Sequence, residues 1–242
     1  FPGSGCFLQT KLGILAGTPA FDIKNQCSGF IYALSVADGL IRTGQYRKIL
    51  VVGSEIHSRG LDLTTRGRDI AVLFGDGAGA VVLSRIEDES GFVISKVGAD
   101  GRGKMIWHIP AGGSQHPIDE NTAKDRLQYW QMDGKGIYNT AVRVLPQVIS
   151  EVLADSGLKM EDIKYMIPHQ PSLKILKKTA ELINFDFNKV LTNMDQYGNT
   201  SAASIPILLD ETNKAGKLTR GDTLLFAAVG SGMAWGAMIL KW

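Results

Sequence analysis

Apolar residues recur at helical spacing in two long stretches of the chain and run unbroken through several short ones. Between residues 28 and 43, Phe30, Ala33, Leu34, Ala37, Leu40 and Ile41 share one face, which predicts a helix. Ile31 and Val36 add apolar surface elsewhere, so this helix is expected to be buried on most sides. Gly44 supplies its C-terminal stop. The run "KILVVGS" behind it is β-branched and uninterrupted, as a buried strand is, and "AFDI" ahead of it reads as another strand. Strand, helix, strand is the order of a parallel crossover unit. A second amphipathic helix is predicted over 136–156. Its stripe is Ile137, Ala141, Val144, Leu145, Val148, Ile149, Val152 and Leu153, with a bend at Pro146 and a stop at Gly157. "KYMIPHQ" predicts a strand running into a loop, and Pro171 suits the first position of a further helix over 171–184. Residues 98–128 are rich in Gly, His and polar groups and read as a flap or surface excursion.

The order of elements contains an internal echo. Cys27 begins a helix that stops at Gly44 and feeds "LVVGSE"; Asn199 begins a similar segment that stops at Gly216 and feeds "LLFAAVGSG". "GAVVLS" from Gly79 is matched by "GAMILK" from Gly236. The pattern implies two related α/β halves, 1–97 and 129–242, on either side of the 98–128 excursion. The first half reads as incomplete, because little precedes Cys27.

Composition narrows the function. The 242 residues are 44% hydrophobic, enough for one large domain or two fused halves. With 26 basic and 24 acidic residues the net charge is +2, which predicts no binding to nucleic acid or to a membrane surface. The run "LLFAAV" is too short to span a bilayer, and "FPGSGCFLQTKLG" has neither the charged start nor the apolar core of a signal peptide. It also has no initiator methionine, so upstream residues are expected. Two cysteines make no disulfide scaffold and point to a reducing, cytoplasmic location, although spacing alone does not forbid a Cys6–Cys27 bridge.

Three residues then stand out, each against a plain structural reading. Cys27 is readable as a small buried hydrophobe, but a thiol at a helix N-terminus faces unpaired N–H groups and the positive end of the helix dipole, which favour thiolate. Cys6 lies in an irregular Gly/Ser segment and reads as structural. His169 follows an apolar strand, where a side chain is presented into a cleft or simply satisfied at a strand end. His57, His108 and His116 fall in polar segments and read as solvated. Asn199, in "DQYGNTSAASIP", is readable as a helix cap, as a glycosylation acceptor in a secreted protein, or as an amide donor aimed at a reacting oxygen. The small residues of "SAAS" let backbone approach something closely. "VGSGMAWG" after a strand is a plain turn or an oxyanion hole. "FGDGAGA" is not a dinucleotide fingerprint, and no HExxH or CxxC metal spacing occurs. Cys, His and Asn in this order raise a cysteine peptidase as a rival, against which stand the absent C-G-[SA]-C-[WY] signature and the repeated α/β pattern.

Taken together, "CSGFIYALSVADGLI", "VVGSE", "RGRDIAVLFGDGAGAVVLS", "PHQ", "YGNTSAAS" and "GSGMAWGAMIL" resemble β-ketoacyl-acyl-carrier-protein synthase III, a condensing enzyme of the thiolase superfamily. The resemblance spans essentially the whole chain in the family's order. It implies a thiolase-like duplicated α/β fold, layered α/β/α/β/α, whose first half is incomplete by roughly a quarter of the usual chain. It implies decarboxylative condensation of an acyl-CoA primer with malonyl-acyl carrier protein, giving 3-oxoacyl-acyl carrier protein in fatty-acid initiation. Cys27 matches the acylated nucleophile, and His169 and Asn199 match the pair that supports decarboxylation. The backbone amides of Cys27 and Ser231 match the oxyanion hole, in the turn Gly230–Ser231–Gly232. Arg66, Ser172 and Lys174 match positions near the coenzyme A or carrier-protein entrance, and Phe1 matches a residue that reaches across a homodimer to shape the acyl pocket. The resemblance implies no cofactor and no metal, with coenzyme A thioesters as substrates only. Tyr197, Ser231, Pro171, Ser172 and the "NQC" lead-in depart from the family pattern and bear on substrate choice. A related condensing enzyme of polyketide or other secondary metabolism, and a catalytically silent scaffold or partner subunit, remain open as alternatives.

Overall fold

The computed structural model describes residues 1–242. In chain order the elements are α1 (Ser4–Lys11), α2 (Gly29–Arg42), β1 (Lys48–Glu55), α3 (Arg68–Ala71), β2 (Gly77–Ser84), β3 (Gly91–Ala99), β4 (Trp107–His108), α4 (Glu120–Lys124), β5 (Gln131–Met132), α5 (Gly134–Ser156), β6 (Ile163–Pro168), α6 (Leu173–Leu182), α7 (Met194–Tyr197), α8 (Ser204–Lys214), β7 (Thr223–Gly230) and β8 (Ala234–Lys241). Short 3₁₀ turns at Gln26–Ser28 and Ser201–Ala203 lead directly into α2 and α8.

The main sheet has the order β3-β8-β7-β6, with β6 and β7 parallel and the other pairs antiparallel. Strand β7, "TLLFAAVG", is apolar on both faces because both faces are covered. Leu225, Ala227 and Val229 pack with Val144, Leu145, Val148 and Ile149 of α5 and with Ile175 and Leu176 of α6. Leu224, Phe226 and Ala228 face the other way, toward Phe30, Ile31 and Leu34 of α2 and Ile205, Leu208 and Leu209 of α8. Val51 of β1 joins that second cluster, so α2 and α8 form a middle layer between the main sheet and the antiparallel pair β1–β2. Helix, sheet, helix, sheet is the observed stack. On the outer face of β1–β2, Leu50, Val52 and Val82 are exposed.

The two helices anticipated from periodicity form as expected, with small adjustments at their ends. Helix α5 starts at Gly134, where the Asp133 carboxylate accepts the Gly136 N–H at 3.0 Å, and continues through Pro146 to the left-handed Gly157. The helix expected over 171–184 is shorter. Ser172 Oγ accepts the Ile175 N–H, so Ser172 is the cap, Leu173 the first helical residue, and Pro171 lies outside. "AFDI" is not a strand: residues 19–25 pair with no neighbour. The expected crossover through α2 is therefore absent, and β1 instead runs antiparallel to β2 in full register from Lys48↔Ser84 to Glu55↔Gly77. The parallel pair is β6–β7, joined through α6 to α8. The 98–128 segment carries more structure than a bare loop. It holds α4, capped by Asp119, and β4, which pairs with β5; Arg126 clamps it to the body through the buried Asp62 at 2.5 Å. No helix is long and apolar enough to cross a membrane.

Leu225 is fully buried between β7 and α5. Replacing it by alanine deletes packing that cannot close up in a layer held on both sides, and Leu225→Ala is expected to lose about 2–5 kcal/mol of stability by denaturant unfolding.

Candidate active site

The site forms where both 3₁₀ turns meet the ends of strands β1 and β7. Gln26 has φ 43° and Ser201 φ 51°, a left-handed conformation that costs a non-glycine residue about 1–3 kcal/mol and is held only by its surroundings. Each strained residue sits in the turn that opens a helix. At Gly230, the last residue of β7, a Cβ would lie 2.9 Å from both the Cys27 nitrogen and its Cβ. At Gly53 of β1 a Cβ would lie 2.5 Å from the Ala202 carbonyl oxygen. Glycine at these two positions lets the strands press against the turns, and the small residues of "SAAS" serve the same approach.

The segment 199–204 then gathers the three candidate side chains. Ser201 Oγ donates to Cys27 Sγ at 3.6 Å. The Ser201 backbone N–H donates to Asn199 Oδ1 at 2.8 Å, which orients the amide and leaves its NH₂ as the outward donor. Ser204 Oγ lies 3.2 Å from His169 Nδ1, while His169 Nε2 is buried without a partner. His169 is positioned by its own backbone, whose N–H donates to the Ala227 carbonyl just beyond the β6–β7 ladder. Asn199 is fixed on the other side by β-type pairing: its N–H donates to Leu73 and its carbonyl accepts from Gly75.

Burial sets the protonation of both titratable groups. Cys27 is 1% exposed, and desolvation pushes its thiol from the ordinary 9.0 up to about 12, with Glu55 acting in the same direction and the Ser201 hydrogen bond against it. The expectation of a resting thiolate is therefore corrected. A helix end supplies at most about 2 kcal/mol, and each pKa unit corresponds to about 1.4 kcal/mol, so desolvation wins. The same desolvation lowers His169 to about 3, with His57 adding to the fall and the Ser201 backbone opposing it. Thiol and imidazole are thus both held uncharged. Cys6 is exposed and Cys27 buried, and both are free, so there is no disulfide.

Around this group stands a wall that the sequence did not announce. His57, read as solvated, is 6% exposed. Its Nδ1 lies 2.9 Å from the Gly75 carbonyl, which only accepts, so Nδ1 carries a proton. Its Nε2 lies 3.6 Å from Glu55 Oε2, and Glu55 Oε1 accepts the Ala202 N–H. The ring packs edge-on against Phe74 and Trp130 at 5.4 and 5.0 Å, and Trp107 closes the cluster at 5.2 Å from Phe74. Ser231 Oγ donates to the Trp107 carbonyl at 2.5 Å, tying the β7–β8 turn to the 98–128 segment. His116 is exposed and His108 half-buried.

Three of the remaining candidates lie exposed at the surface. Phe1 is fully exposed, and Lys174 is exposed near the start of α6. Arg66 is exposed, with Nη1 3.4 Å from the Asp125 carbonyl. Ser172 is occupied as a helix cap. Gly230 adjoins Cys27, and Gly232, at φ 136°, completes the turn before β8. Ser201, Ser204, Thr200, Glu55 and Gly53 had no signal of their own beyond the "GNTSAAS" and "VVGSE" runs that contain them.

The family model for 3-oxoacyl-[acyl-carrier-protein] synthase III matches residues 21–101, and the model for its C-terminal part matches residues 153–242. A β-ketoacyl-[acyl-carrier-protein] synthase III of Caldanaerobacter subterraneus is 41% identical over 242 residues, covering 100% of this chain and 72% of that relative. The crystal structure of the 3-oxoacyl-[acyl-carrier-protein] synthase III of Aquifex aeolicus superposes with a TM-score of 0.90 at 41% identity, covering 100% of this chain and 73% of that one. A priming β-ketosynthase of a polyketide pathway superposes with a TM-score of 0.87 at 28% identity, covering 99% of this chain and 70% of that one. The duplicated, thiolase-like layering and the likeness across the full length agree, and this chain belongs to the 3-oxoacyl-[acyl-carrier-protein] synthase III family of acyltransferase-type condensing enzymes.

Proposed function

We propose that the chain initiates fatty-acid synthesis through an acyl group carried on Cys27, with His169 and Asn199 as the donors that make malonyl decarboxylation possible. The observation that carries this reading is the convergence on one short turn. Ser201 touches both the Cys27 sulfur and the Asn199 amide, and Ser204 touches the His169 ring.

In the first half-reaction the Cys27 sulfur attacks the carbonyl of an acyl-CoA. The S–C bond to coenzyme A breaks, and the thiol proton leaves with the departing coenzyme A thiol. Burial keeps the free thiol protonated, so the proton transfer accompanies attack. The backbone N–H groups of Cys27 and Ser231 are placed by this reading around the tetrahedral oxyanion, where one donor is worth about 3–4 kcal/mol. In the second half-reaction malonyl-acyl carrier protein loses carbon dioxide, and the electron pair of the broken C–C bond forms an enolate. Its oxygen accepts from His169 Nε2–H and from the Asn199 NH₂. The enolate carbon bonds to the acyl carbon, the C–S bond to Cys27 breaks, 3-oxoacyl-acyl carrier protein departs, and the sulfur takes up a proton from water. All the groups used are side chains and backbone of this chain.

Coenzyme A thioesters and malonyl-acyl carrier protein are the proposed partners, with Arg66, Lys174 and Ser172 toward the entrance. A homodimer is proposed in which Phe1 of one copy shapes the acyl pocket of the other, as the family resemblance implies. A cytoplasmic location fits two free cysteines.

Incubation with acyl-CoA is expected to add one acyl mass to the protein and none to Cys27→Ala; an acyl adduct persisting on that variant contradicts the assignment. His169→Ala and Asn199→Ala are expected to keep acylation within about twofold and to lose about 10²-fold or more of malonyl decarboxylation; release of labelled carbon dioxide at the parent rate removes them from that role. Because His169 titrates near 3 and is neutral above that, decarboxylation is expected to stay level from about pH 8 down to about pH 5. A fall centred near the ordinary histidine range would show that the ring charges in the folded protein.

A further inference from the structure

The turn between β7 and β8 has few anchors of its own. The ladder ends at Gly230↔Ala234, which leaves Ser231, Gly232 and Met233 to reverse the chain. Met233 is fixed by a double pairing: its N–H donates to the Asp100 carbonyl at 3.1 Å, and its carbonyl accepts the Asp100 N–H at 2.8 Å. Ser231 and Gly232 make no backbone hydrogen bond. Between Gly230 and Met233 the one anchor is the Ser231 hydroxyl, which donates to the Trp107 carbonyl at 2.5 Å. Glycines flank Ser231 on both sides, and Gly232 sits at φ 136°, so backbone sterics restrain this stretch weakly.

The acceptor, by contrast, is firmly placed. Trp107 belongs to β4, which pairs with β5, and the Ile106 carbonyl before it accepts the Asp133 N–H at 2.7 Å where α5 begins. The Trp107 ring packs 5.2 Å from Phe74 and 5.6 Å from Trp130. What the tether restrains is the Ser231 N–H. Gly230 lies against the Cys27 backbone, so the amide one residue on emerges next to the nucleophile and has no protein acceptor. A carbonyl only accepts, so the hydroxyl hydrogen is committed to Trp107 and is not offered to a substrate oxygen. Any effect of the hydroxyl on the reaction therefore passes through the amide of its own residue. A donor aimed at a reacting oxygen must be held within about 0.5 Å and about 10–20°. A loop free between two glycines does not meet that demand, and a hydrogen bond from the residue itself to a fixed strand does.

We infer that the Ser231 side chain is a positioning group for its own backbone N–H, its bond to Trp107 aiming that donor at the carbonyl oxygen of acyl-Cys27. This rests on the proposed acyl-Cys27 reaction and adds to it a requirement on one hydroxyl.

Isotope-edited infrared spectra of the acylated protein read this hydrogen bond directly. The probes are acetyl-, butyryl- and isobutyryl-CoA labelled with ¹³C at the carbonyl. A thioester carbonyl held by a fixed donor is expected to give one narrow band in the parent protein. In Ser231→Ala the band is expected to broaden and move to higher frequency. The acylation rate at saturating acyl-CoA is expected to fall about tenfold in that variant, with the half-saturating concentration within about twofold. Ser231→Thr, which keeps the hydroxyl, is expected to restore both band and rate. A hydroxyl that only braces the fold would lower the unfolding midpoint and leave the band in place. If Ser231→Ala keeps the parent band and rate, or Ser231→Thr recovers neither, the tether does not aim the amide. A parent protein that takes up none of the three acyl groups at Cys27 defeats the underlying reading as well, so the two failures are told apart before any variant is made.

Discussion

Backbone packed directly on backbone is the constraint from which the site follows. Strand β1 meets the Ala202 carbonyl at Gly53, and strand β7 meets Cys27 at Gly230; at either place a single added carbon would sit closer than real contacts allow. With no side chains between them, two strands and two turns are locked at fixed spacing. That lock holds Gln26 and Ser201 in left-handed conformations they would not choose alone. It also explains why the residues between Asn199 and Ser204 are small, and why groups far apart in the chain share one short turn. The middle helical layer is the second half of the constraint. Helices α2 and α8 are buried between two sheets, so their starting ends, which carry the turns, have little freedom to shift.

Enclosure has an electrostatic consequence. The same desolvation raises the Cys27 thiol and lowers the His169 imidazole, so both are held uncharged. For the proposed decarboxylation a neutral ring is an advantage, because it presents a donor without holding a buried positive charge through the cycle. For the proposed acylation it means that the nucleophile is made in the act of attack and not stored as thiolate. Glu55 strengthens this bias: its carboxylate accepts the Ala202 N–H and stands near enough to discourage a charge on sulfur.

Much of this was legible in the chain itself, for physical reasons that can be named. The helical stripes of α2 and α5 were readable because each buries one continuous face, and the doubly apolar strand β7 because helices cover both its sides. Cys27, His169 and Asn199 stood out because a thiol, an imidazole and an amide each stood at an element boundary, and the segment 199–204 gathers all three. "AFDI" misled because alternation shows that a segment suits a strand and not whether a neighbouring strand exists to pair with it. Pro171 misled because Ser172 competes for the helix start with a side-chain acceptor. His57 looked solvated because its local sequence is polar; the rings packed on it are Phe74 and Trp130, the latter more than seventy residues away. The thiolate expectation weighed the helix dipole, which is local, without the desolvation, which is a property of the assembled fold. Ser204 was hidden for the same reason, since its partner His169 is distant in sequence.

The central claim is that one turn brings the sulfur, the imidazole and the amide to a common volume. A crystal structure of the protein after reaction with acyl-CoA tests it most directly. The account predicts the acyl carbon bonded to Cys27 Sγ, with His169 Nε2 and the Asn199 NH₂ both directed at the space above the thioester. An acyl group bonded elsewhere, or either donor turned away from that space, would contradict it.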